Sequence, residues 1–126
     1  MNKYITLNKT GKFYNAYGDD AKILHYLFNY KVINNRIGFP IDSINKVKDK
    51  LNELNISYLI NSDEKIEKDY EKFNKYDEYN LLANSKVNID KKIDDLIIKI
   101  NDLSYKEIDE LIEFINNKIN KIYETR

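Results

Sequence analysis

Between Thr10 and Lys22 the chain reads TGKFYNAYGDDAK, and its chemistry-bearing side chains alternate. Side chains of a strand point to opposite faces with period two, so Phe13, Asn15 and Tyr17 share one face if the stretch is extended. An aromatic ring stacks on any base, and an amide both donates and accepts hydrogen bonds. Lys9, Lys12 and Arg36 supply positive charge close by in the sequence. That set suits a surface that reads something flat. A half-buried strand aromatic is the plainer alternative for Phe13.

No catalytic set accompanies it. His25 is the only histidine and there is no cysteine, so a nucleophile–histidine–acid arrangement has little to draw on. The Asp19–Asp20 pair at a helix start reads as a cap rather than as a metal site. The sequence carries no G-x-x-x-x-G-K-[ST] phosphate loop. The acids of the C-terminal half lack the carboxylate and histidine spacing that transition metals need. We therefore expect neither an enzyme nor a bound cofactor or metal.

Composition bounds the rest. The 126 residues are 42% hydrophobic and 33% charged, enough apolar material for one ordinary domain or one small domain with an appendage. The absence of cysteine excludes disulfides. No apolar run approaches the roughly 18 residues of a membrane helix, and MNKYITLNKTGK lacks the apolar segment of a signal peptide, so a cytoplasmic protein is expected. Net charge is zero, but it is unevenly spread. Residues 1–60 hold nine Lys/Arg against five acids (+4), which leaves twelve against sixteen (−4) for residues 61–126.

All three glycines and the single proline fall within the first 40 residues. The N-terminal part reads as turn-rich α/β and the remainder as helical. Residues 4–7 and 12–17 read as a hairpin around Asn8–Gly11, and Asp19 or Asp20 caps a helix reaching about Asn29. Its apolar stripe is Ile23, Leu24, Leu27 and Phe28. Lys31–Ile33 and Arg36–Phe39 read as a second hairpin turning at Asn34–Asn35. Asp42 or Ser43 then caps a helix with an inner face of Ile44, Val47, Leu51 and Leu54, and residues 57–60 close the module as a strand. The expected fold is α+β: a small mixed sheet flanked by helices over residues 1–60, a charged connector over 61–75, and a C-terminal helical hairpin over 76–126. In the hairpin, Ile89, Ile93, Leu96, Ile100 and Leu103 form a seam, and Ser104 with Glu107 forms a capping box. The second helix carries Ile108, Leu111, Ile112, Ile115, Ile119 and Ile122.

Two segments resemble a known family. Gly11-Lys12-Phe13-Tyr14-Asn15-Ala16-Tyr17-Gly18-Asp19-Asp20-Ala21-Lys22 follows the G-[DK]-F-Y-E-x-F-x-x-D-A-x motif of the N-terminal mismatch-recognition domain of the MutS DNA mismatch-repair proteins. Gly38-Phe39-Pro40, the helix after it and the strand Ser57–Ile60 follow that domain's G-[IV]-P segment in the same order. The resemblance spans roughly residues 8–60 and implies a mixed sheet flanked by helices. It also implies that Phe13 stacks on a mispaired base, an apolar wedge that kinks the duplex. Asn15 stands where the family has Glu, which keeps a hydrogen-bonding group but removes its charge. Nothing after Ile60 resembles the family's connector, lever, clamp or ATPase domains.

Two readings of function follow. The first is a non-catalytic module that binds double-stranded DNA: Phe13 stacks, Asn15 contacts the base, and Lys9, Lys12 and Arg36 meet phosphates. The second is an interaction module that forms a homodimer or grips a protein partner through the C-terminal helices, without DNA.

Overall fold

The computed structural model describes residues 3–62, 66–69 and 73–126. The fold is α+β, with a five-stranded mixed sheet, helices and a helical C-terminal region. Strands β1 (Ile5–Thr10) and β2 (Phe13–Tyr17) form a hairpin, followed by helix α1 (Gly18–Phe28), strand β3 (Arg36–Pro40) and one 3-10 turn (Ile41–Ser43). Helix α2 (Ile44–Glu53) and strands β4 (Tyr58–Asn61) and β5 (Ile66–Asp69) come next, then helices α3 (Tyr76–Ile100) and α4 (Tyr105–Glu124). The strand order is β3-β2-β1-β4-β5, with β1 and β4 parallel and every other pair antiparallel.

Two turns set the registers. The first hairpin turns at Gly11–Lys12 rather than at Asn8–Gly11, so Asn8, Lys9 and Thr10 belong to β1. Gly11 has a φ of 62°, the conformation that a tight two-residue hairpin places on glycine. Asn34 and Asn35 both have positive φ, 52° and 62°, and close a turn in which Ile33 and Arg36 exchange backbone hydrogen bonds of 2.9 and 3.1 Å. The pairing on the Lys31–Ile33 side stops at that one bridge, so this stretch is not a strand. The fifth strand is β5 instead, inside the 61–75 stretch read as a connector.

The sheet buries one face. Ile5, Leu7, Tyr14, Ala16, Ile37, Phe39, Tyr58 and Ile60 pack on Ala21, Ile23 and Leu24 of α1 and on Val47 and Leu51 of α2. An aromatic run fills one end: Tyr30 stacks on Phe28 and on Phe39, both at 5.4 Å between ring centroids, and Phe39 lies 5.8 Å from Tyr14. Tyr76 and Ala83 of α3 join the same core.

The caps differ from expectation. The residue before α1 is Tyr17, which makes no side-chain cap bond, and Asp19 and Asp20 lie in the first turn. Asp20 reaches across to accept hydrogen bonds from the Thr6 amide at 3.0 Å and the Tyr76 hydroxyl at 2.6 Å. Ser43 precedes α2 without capping it, since its side chain bonds with Tyr30, and Asp42 sits in the 3-10 turn. At α4 the capping box forms as read: Ser104 Oγ accepts from the Glu107 amide at 3.2 Å, and Glu107 Oε1 accepts from the Ser104 amide at 2.9 Å.

Residues Met1–Asn88 and Ile89–Arg126 form two separate compact units. The first therefore takes in β5 and the start of α3 as well as the 1–60 module. In the second, the chain turns at residues 101–104 between α3 and α4, and none of its residues is buried.

Candidate nucleic-acid interface

Strand β2 follows the period-two rule along its whole length. Tyr14 and Ala16 are buried, while Phe13 and Tyr17 stand 51% and 53% exposed with Asn15 between them. Thus the aromatic–amide alternation lies on the sheet face that α1 and α2 leave uncovered. Register adds the neighbours on each side. On β3, Pro40 pairs with Phe13, Gly38 with Asn15 and Arg36 with Tyr17; on β1, Thr10 pairs with Phe13 and Asn8 with Asn15.

Gly38 has a specific role here. A Cβ at this position would stand 3.1 Å from Asn15 Oδ1, closer than ordinary side-chain contact. Glycine lets the Asn15 amide lie against the strand beside it. The result is a groove of about 510 Å³ whose apolar walls are Phe13 and Ile33, whose floor carries Thr10, Asn15 and Gly38, and whose rim carries Lys31 and Arg36. A ring, an amide and two cations converge on one open surface. Beyond the groove, Asn61 Nδ2 donates to Asn8 Oδ1 at 2.8 Å, so amides of β2, β1 and β4 run in a row across the sheet.

The structure brings Phe13, Asn15 and Arg36 together and places Lys12 at the exposed hairpin tip beside them, where its carbonyl accepts from the Ile41 amide at 3.0 Å. It does not bring Lys9. That residue pairs with Tyr14, so its side chain leaves on the opposite face and is partly buried. Lys31 and Asn8 were missed. The Asn34–Asn35 turn held the signal for Lys31, because continuing the Ile33–Arg36 register by two residues sets it opposite Gly38. Asn8 was hidden by assigning it to the turn.

His25 has a structural partner. Its Nδ1 lies 2.8 Å from the Tyr30 carbonyl and so carries the proton donated there, just beyond the left-handed Asn29 that ends α1. Among the described residues no cluster of three His, Cys, Asp or Glu side chains is placed to hold a metal ion, and no helix is long and apolar enough to cross a membrane. No family model matches the chain, and neither does any curated protein or solved structure.

Proposed function

We propose that this chain is a non-catalytic DNA-binding module that lays the open face of β3, β2 and β1 against its ligand. Phe13 stacks on a base, Asn15 hydrogen-bonds the base edge, and Arg36, Lys31 and Lys12 meet phosphates. The observation that carries this reading is the half-exposed Phe13 ring on one groove with Asn15 and two cations. A strand aromatic serving only the core would point inward, as Tyr14 does on the same strand. The resemblance of residues 8–60 to a mismatch-recognition domain favours duplex DNA with a weakened base pair, where unstacking costs least.

The neutral Asn15 separates this site from a carboxylate one. An amide presents both a donor and an acceptor without repelling nearby phosphate, so binding here is less selective for one mismatch and needs no titration. With three phosphate contacts, affinity falls with a log–log slope of about −2.7, roughly 40-fold between 50 and 200 mM salt. Fluorescence anisotropy of labelled matched and singly mismatched duplexes, titrated at both salt concentrations, tests the reading. Salt-sensitive binding with a modest mismatch preference is expected, and no binding at 50 mM salt would sink it.

A further inference from the structure

The surface of Ile89–Arg126 points to a partner separate from nucleic acid. In this unit Ile100, Ile108, Leu111 and Ile115 are the only apolar side chains even partly buried, while Ile112, Ile119 and Ile122 stand between 41% and 51% exposed. Ile89, Ile93, Leu96 and Ile97 of α3 are exposed to a similar degree. A twenty-residue helix such as α4, with a wide apolar stripe and no buried residue, is built to be covered.

A twofold interface between identical chains requires a surface complementary to itself. Helix α4 meets that requirement in two independent ways. Ile108, Leu111, Ile115, Ile119 and Ile122 recur at spacings of three, four, four and three, a series that reads the same from either end. Two copies running antiparallel about Ile115 set Ile108 against Ile122, Leu111 against Ile119, and Ile115 against itself. The charge also inverts about that centre. Residues 106–113 carry Lys106 against Glu107, Asp109, Glu110 and Glu113, a net −3. Residues 114–126 carry Lys118, Lys121 and Arg126 against Glu124, a net +2. Antiparallel alignment lays the acidic half along the partner's basic half and opposes the two helix dipoles, whereas parallel alignment brings like charges together.

We propose that a second copy of this chain covers α4, paired antiparallel about Ile115, with the apolar row of α3 completing a four-helix arrangement. The chain contains no cysteine, which allows a direct test by engineered pairs. Light scattering of the full chain is expected to give twice its 15.1 kDa mass, and Ile112→Lys with Ile119→Lys to return the monomer with helicity retained. Under air oxidation Ile115→Cys is expected to yield a disulfide-linked dimer, and Ile122→Cys alone to stay unlinked. A mixture of Ile108→Cys and Ile122→Cys is expected to link heterotypically. The wild type at monomer mass at every concentration would overturn the proposal. So would self-linkage of Ile122→Cys, which marks a parallel pair.

Discussion

At residue scale, two side chains carry most of what can be tested. Gly38 is free of positive φ, so a larger residue there meets the Asn15 amide rather than backbone strain. Gly38→Val should keep the fold, since a β-branched residue suits a strand, yet displace Asn15 and fill the groove. Duplex affinity should fall while the thermal midpoint holds; a drop in both would make Gly38 a folding residue only. Asp20 is the second. Burial pushes its carboxyl up, against the Tyr76 hydroxyl and the Thr6 amide, and the Asp19 charge adds to the rise. A raised carboxyl holds its proton longer folded than unfolded, so its contribution to stability is full below about pH 3.8 and is lost as pH rises through the folded value. Tyr76→Phe removes the hydroxyl donor and should cost about 1–3 kcal/mol at pH 7, shrinking toward pH 4 as the carboxylate protonates. Urea denaturation at the two pH values reads this, and an equal cost at both would assign the loss to packing. The Asp20 pairing was illegible in the sequence because its partner lies 56 residues away. The β2 alternation was legible because period two is a local rule that needs only one correct strand assignment.

Element by element, the turns decide where the groove sits. Asn34 and Asn35 hold left-handed conformations, which cost a bulky residue about 1–2 kcal/mol each. Asn35→Val should therefore lower stability by that amount and loosen the Lys31–Arg36 rim, whereas Asn35→Gly should be neutral or better. Chemical denaturation compares the two, and equal midpoints would contradict the account of this turn. Their asparagines announced the turn in advance, but the short arm before it did not. Lys31 and Val32 are displaced from ladder pairing as the neighbouring Tyr30 inserts between Phe28 and Phe39. Strand β5 escaped notice for a different reason. Its sequence Ile66–Asp69 is mostly charged, and it pairs on the sheet edge, where the Lys48–Glu67 ion pair at 2.6 Å ties it to α2. The α4 capping box was readable because both partners lie within four residues.

For the whole molecule, the net charge of zero conceals a basic groove on one unit and a charge-inverting helix on the other. A few cations give modest affinity, and two modules on one paired particle would compensate through effective concentration. On this account, charging Ile112 and Ile119 should weaken binding to a long duplex far more than to a short one, as competition anisotropy with two duplex lengths would show. Equal weakening on both lengths would deny any link between pairing and binding. The central claim, that the open sheet face around Phe13 contacts DNA, is met most directly by one comparison. Wild type and Phe13→Ala are titrated against the same mismatched duplex at 50 mM salt, with thermal midpoints measured in parallel. Loss of one stacking contact, on the order of 1–3 kcal/mol, predicts affinity lower by about 5- to 150-fold with the midpoint unchanged. Identical affinities, or a wild type that fails to bind, would contradict the account.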